Sequence, residues 1–192
     1  INLASPDDEL WAKSVALMRV EIERCEALAI PYLVHHPGAY TTSTAEAGLS
    51  RIARAYQRLL NETSGFATIC CLENTVGSGS NLGRTFDQLA ELRERICDVA
   101  GNPERVGFCF DTCHAHAGGY DMSSRAGGEG TLDAFDATCG LPHLKVVHIN
   151  DSKAPVGSRR DRHAHIGAGT IGGPSQRPTA RRLAASGFAA VV

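Results

Sequence analysis

Five short apolar runs recur along the chain, each separated from the next by a stretch with helical spacing. That recurrence limits the fold more than any other feature. The runs cover residues 30–36, 67–73, 106–110, 145–151 and 187–192. They repeat at roughly 40-residue intervals without self-similarity, so the period is structural and not that of a repeat array. Between them lie apolar positions at helical spacing: Leu10, Trp11, Val15, Met18, Ile22 and Cys25; Leu49, Ile52, Tyr56 and Leu59; Phe86, Leu89, Leu92 and Ile96. A shorter helix is expected over residues 131–139 and a poorer one over 179–185. Strands alternating with helices mean a parallel sheet with right-handed crossovers. An open doubly wound sheet and a (β/α)8 TIM barrel both satisfy that pattern. A complete barrel needs eight strands and roughly 250 residues. The expected architecture for residues 1–192 is therefore a single α/β domain, a partial (β/α)8 TIM barrel.

The ends of these runs carry the chemistry. They present His36, Glu73, Asp111 with His114 three residues on, and His148. In a parallel α/β barrel the strand C-termini converge on one face, where active sites are built. Asp161 and His163 lie two apart in a polar segment, so both point the same way if the backbone is extended. A mixed set of histidine and carboxylate without cysteine suits zinc or manganese rather than a Cys-rich structural zinc site. Alternation lets only one of His35 and His36 face the centre. His36, beside Pro37-Gly38, is the one expected inward, with His35 turned outward or supporting from behind. His116, His143 and His165 are expected to be solvated or hydrogen-bonded.

Composition excludes several classes. A net charge of −2 gives no global attraction to polyanions, so such a partner must meet a local patch. The longest apolar runs fall well short of the roughly 20 residues of a membrane span, and no membrane partner is expected. Seven cysteines with no paired CxxC spacing fit free thiols in a reducing cytoplasm. No serine sits in a GxSxG elbow, and Gly77, Gly79 and Gly83 lack the dinucleotide-binding spacing.

The sequence resembles the endonuclease IV family of zinc-dependent apurinic/apyrimidinic endonucleases. The matching stretches are HPG at 36–38, LENTVGSGSNLG at 72–83, FDTCHAHAGGYD at 110–121, HINDSK at 148–153 and GSRRDRHAHIGAG at 157–169. The likeness runs from Ile1 to about Gly172 and is poor over residues 173–182. One departure is His116, where the family usually carries an aromatic residue.

The resemblance implies a barrel segment of about strands four to eight and up to three Zn2+ ions, with manganese as the other candidate. His36 and Glu73 would hold the first ion, and Glu73 would bridge to a second held with Asp111 and His148. His114, Asp161 and His163 would hold the third. Glu73, Asp111 and His148 would form the catalytic centre. One further histidine and one further glutamate of the family pattern would fall outside Ile1–Val192. The implied reaction is hydrolysis of the DNA phosphodiester 5′ to an abasic site by a trinuclear zinc mechanism, leaving a 3′-hydroxyl. The implied partner is double-stranded DNA containing abasic sites, met by a monomer in the cytoplasm, nucleoid-associated if bacterial. Arg159, Arg160 and Arg162 would contact its backbone. The competing expectations are a xylose-isomerase-like sugar isomerase or epimerase, and an inactive metal- or DNA-binding fragment.

Overall fold

The computed structural model of the protein describes residues 1–185 and 189–191. The elements follow in the order α1 (Asp8–Ala27), β1 (Tyr32–His35), α2 (Ala45–Glu62), β2 (Ile69–Glu73), α3 (Phe86–Ala100) and β3 (Val106–Asp111). After them come α4 (Thr112–Gly118), α5 (Arg125–Cys139), β4 (Leu144–His148), β5 (Asp151–Ser152), β6 (His163–Ala164), α6 (Gly173–Ala185) and β7 (Ala189–Val191). The main sheet is parallel throughout, in the order β1-β2-β3-β4-β7. The first three long helices begin where polar side chains cap them. Asp7, Thr44 and Thr85 each accept a backbone N–H of the first turn.

Packing decides between the two architectures left open above. One large apolar cluster joins strand residues such as Leu72, Phe108, Phe110 and Val147 to the helices. The opposite sheet face holds Cys71, Cys109 and Val146 with Tyr32, Val34 and Ile69, all from strands. A doubly wound sheet would carry helices on both faces. Here the helices cover one face and the other closes on its own strands, so the sheet is a curled segment of a TIM barrel.

One irregularity aims the fourth strand. Phe108 pairs with Leu144 but Cys109 pairs with Val146, which leaves Lys145 as a bulge. Leu144 packs among the helices while Val146, two residues later, faces the barrel interior. Without the bulge they would share a face. The extra residue is what turns Val146, and with it His148, inward.

Three boundaries differ from expectation. The run over 145–151 leaves the sheet at His148, because Thr112 Oγ1 accepts the Asn150 N–H and donates to the Asn150 carbonyl. Asp151–Ser152 then pairs antiparallel with His163–Ala164. α5 starts at Arg125, capped by Ser124, because three glycines in its first turns mask the helix in sequence. α6 starts at Gly173. Of the last expected run, 189–191 pairs with β4, and residues 187, 188 and 192 lie outside the described residues.

The N-terminal ends of β2 and β3 are tied by Arg105, which is buried. Its guanidinium donates to the Thr68 carbonyl at 2.6 Å and the Thr63 carbonyl at 3.0 Å. Replacing it leaves two buried carbonyls without donors. Arg105→Ala should lower unfolding free energy by about 2–4 kcal/mol in urea titrations. A change under about 0.5 kcal/mol would mean that water satisfies both carbonyls.

Candidate metal centre

Alternation along the strands selects the residues that meet inside the curled sheet. Tyr32 and Val34 face inward, and His36, one residue past β1, continues their side. The same parity brings Glu73 above Cys71, Asp111 above Cys109, and His148 above Val146. The donor residues are thus the top layer of the barrel interior, resting on a layer of two thiols and a valine.

Glu73 is the hub. Its carboxylate is buried and lies 3.3 Å from His36 Nε2, 2.8 Å from His148 Nδ1 and 3.5 Å from His114 Nδ1. Burial alone would raise its pKa, but the hydrogen bonds from His114, His148 and His36 hold it well below the usual carboxylate range. Asp111 is fully buried. Its Oδ2 lies 3.6 Å from His148 Nδ1 and accepts from Asn150 Nδ2 at 2.7 Å, while Oδ1 accepts the His114 N–H at the start of α4. Against the cost of burial, these contacts and the His114 charge keep its pKa below normal.

A second group stands beside the first. His114 Nδ1 meets the Asn74 carbonyl at 2.9 Å, which in the neutral ring leaves Nε2 as the lone-pair nitrogen. That Nε2 faces His163 Nε2 at 3.1 Å and Asp161 Oδ2 at 3.4 Å. Asp161 Oδ1 lies 3.1 Å from His163 Nε2. Two imidazole nitrogens and a carboxylate aimed at one point call for a shared proton or a cation between them.

The structure brings His114, Asp161 and His163 together as one group, with donor atoms within 4.8 Å of one another. It also groups His36 and Glu73, with His114 as their third member. Glu73, Asp111 and His148 are joined through His148 Nδ1 rather than as one compact triad. His35 turns away and bonds to Tyr56, and burial pulls its pKa down to about 4. Arg159, Arg160 and Arg162 line the exposed rim beside Asp161. The Arg159 carbonyl accepts from Ser78 Oγ, and Arg162 donates to the Asp161 carbonyl. His165 is exposed, and His143 borders a surface cavity beside α3.

Sequence reasoning missed the residues that orient these donors. The Asn74 side chain accepts the Asp111 N–H at 2.7 Å and donates to the Asp111 carbonyl at 3.0 Å, extending the β2–β3 ladder by a side-chain rung. Asp151, fully buried, accepts backbone N–H groups from Ser152, Gly167, Ile171 and Gly172 and so closes the loop that carries Asp161 and His163. Gly169 runs so close to this knot that a Cβ there would sit 2.3 Å from the Ser152 oxygen. The signal for Asn74 was its place immediately after β2, and that for Asp151 its place at the end of an apolar run.

A parallel barrel segment with clustered imidazoles and carboxylates at its strand ends defines an α/β-barrel protein whose strand tips could hold a metal ion. The whole chain, residues 1–192, matches the family described as xylose isomerase-like TIM barrel, and the protein belongs to that family. It is 51% identical over 172 residues to a probable endonuclease 4 of Chloroflexus aurantiacus, covering 90% of this chain and 59% of the relative. The chain thus spans about three fifths of the length of the curated relatives it matches. Endonuclease IV from Thermus thermophilus superposes with a TM-score of 0.81 at 34% identity, over 99% of this chain and 64% of that one. A D-tagatose 3-epimerase-like protein shares the fold with a TM-score of 0.73 at 22% identity, over 100% of this chain and 65% of the other.

The donor set fits divalent zinc: four imidazoles and three carboxylates, with the His114 tautomer set by a backbone carbonyl. The same surroundings favour the protonated imidazoles. Burial disfavours a charged ring at His114, yet Glu73, Asp111 and Asp161 lift its pKa to about 9. Asp111, Cys109 and Glu73 lift that of His148 to about 12. A cation must expel those protons, so its apparent affinity should rise with pH across the range in which His114 and then His148 lose them, and fall as the medium becomes acidic. Calorimetry near neutral pH, in buffers of different ionisation enthalpy, should show net proton release on zinc uptake. Heat independent of the buffer would contradict the protonated cluster. Asn74→Ala should destabilise the fold by about 2–4 kcal/mol and weaken zinc binding by about tenfold or more, read by denaturant titration and by zinc-chelator competition.

Proposed function

We propose that this chain forms strands four to eight of a DNA-repair endonuclease barrel of the endonuclease IV type. Its reaction is hydrolysis of the phosphodiester 5′ to an abasic site in double-stranded DNA, leaving a 3′-hydroxyl. The observation that carries this reading is the position of His114. It stands between the Glu73–Asp111 group and the Asp161–His163 group, so the donors number more than one or two ions need. A one- or two-metal isomerase has no use for Asp161 and His163 on a loop beyond the strand ends.

His36, Glu73, Asp111, His114, His148, Asp161 and His163 would hold up to three zinc ions, with manganese as the alternative. Bound there, such ions supply Lewis-acid stabilisation of phosphoryl charge and make water acidic enough to act as a nucleophile near neutral pH. The chain's own residues set the stage for that chemistry. Glu73, Asp111 and His148 form the catalytic centre, where buried carboxylates are held ionised and preorganised by the imidazoles that meet them. Arg159, Arg160 and Arg162 stand on the rim, where the DNA backbone would pass. A monomer suffices, since every donor named comes from one chain. Extrusion of the abasic nucleotide costs less than that of a paired base, which favours the lesion over intact DNA.

The test is a nicking assay on duplex DNA with one abasic site, using the full-length protein. Wild type should nick 5′ to the lesion and lose activity with a chelator. His163→Ala should cut on the order of 10²-fold more slowly, with zinc content reduced by direct metal analysis. Epimerisation of a ketose without nicking would instead establish the sugar-isomerase reading. Metal binding with neither activity would establish a non-catalytic chain.

A further inference from the structure

A sulfur atom lies directly under the catalytic layer and takes no part in the donor set so far described. Cys109 is opposite Glu73 in the β2–β3 register and faces the barrel interior. It is fully buried, and its donor atom lies with those of Glu73 and His148 in one group no wider than 4.8 Å. That width suits the ligand shell of a single ion, whose bonds to sulfur and nitrogen run about 2.3 Å and 2.0 Å. The other inward or site-facing thiols are engaged differently. Cys71 Sγ donates to the Ile69 carbonyl, and Cys113 Sγ donates to the Arg162 carbonyl while also lying within 4.8 Å of donor atoms of Asp111 and His163, which makes Cys113 the control for Cys109. The polar neighbour of Cys109 is the ring of His148, itself a donor of the centre.

From this geometry we infer that Cys109, with Glu73 and His148, forms a sulfur-containing subsite that binds thiophilic divalent cations such as cadmium. Zinc, a borderline ion, and manganese, a hard one, find enough oxygen and nitrogen donors in the layer above. A soft ion gains most from thiolate, so it settles one layer deeper, on the same histidine and carboxylate that the catalytic layer uses. The thiol proton is released to the medium as the sulfur–metal bond forms. Cys109 is buried beneath the top layer, and its subsite uses two residues of that layer. Cadmium therefore competes with zinc for Glu73 and His148 instead of adding to it. The inference rests on the metal-centre reading above, and the experiment separates the two.

The metal-stripped full-length protein is titrated with cadmium chloride and, separately, zinc chloride. Cadmium should produce the ultraviolet thiolate-to-metal absorption in wild type and in Cys113→Ser. That band should be absent in Cys109→Ser and Cys109→Ala, whose cadmium affinity should fall about tenfold or more while zinc affinity changes less than about threefold. Cadmium NMR of the wild type gives the same answer without any substitution, since a sulfur ligand shifts the resonance far from that of an all-oxygen-and-nitrogen site. Zinc uptake without a thiolate band or sulfur-type resonance for cadmium overturns the Cys109 subsite and leaves the metal centre standing. A band that persists in both Cys109 variants also overturns it. Uptake of neither metal overturns both.

Discussion

The two-residue pleat of four parallel strands sets where every other group in the molecule can go. Once the helices claim one face of the sheet, every second side chain must go to the other, and the strand tips decide what gathers there. His36, Glu73, Asp111 and His148 share that side because each is in phase with an interior residue of its own strand. The phase is fragile in one place. β4 would carry His148 to the helix face were it not for the bulge at Lys145. A single inserted residue thus separates a histidine in the centre from one buried among helices, a use of bulges common beside active sites.

Electrostatics explains why such a layer tolerates burial. Two carboxylates with little or no exposure would normally be forced to take up protons. Here Glu73 and Asp111 stay ionised because imidazoles meet them and become charged in turn, with backbone and amide donors filling the remaining lone pairs of Asp111. The cluster is an exchangeable arrangement. Protons on His114 and His148 occupy positions that a divalent cation can take over, since it neutralises the same carboxylates and uses the same nitrogens. The contacts that keep the carboxylates ionised are also what suits the layer to a cation.

Much of this is legible in the chain itself. The strand–helix alternation and the polar residue closing each apolar run are local signals, and the structure brings His114, Asp161 and His163 together as the family resemblance implied. Pleat geometry lets only one of His35 and His36 face inward, the place of His36 beside Pro37-Gly38 favours that one, and His35 does turn to Tyr56. What stays hidden depends on contacts far apart in sequence. Nothing local separates Ile149–Asp151 from a continuing strand, because the departure is driven by Thr112, which bonds Asn150 from 38 residues upstream. The bulge at Lys145 is invisible without its partner strand. Asn74 looks like a turn residue until the Asp111 backbone stands opposite it.

The loop bearing Asp161 and His163 poses a physical question, since loops are poor platforms for a site that needs fixed geometry. The answer is a knot of buried polar groups at its base. Asp151 gathers backbone N–H groups from both ends of the loop, and Thr170 donates its hydroxyl to the Ala154 carbonyl at 2.7 Å. His116 completes the knot from α4. Its Nδ1 accepts the Met122 N–H, which leaves Nε2–H to donate to Thr170 Oγ1, and burial keeps the ring's pKa below normal, in accord with a neutral imidazole. A phenyl ring at this position has no donor for Thr170. In this chain the histidine converts a packing contact between α4 and the loop into a directional one. His114 and His163, which stand on the two sides of that contact, are thereby held in register before any ion arrives.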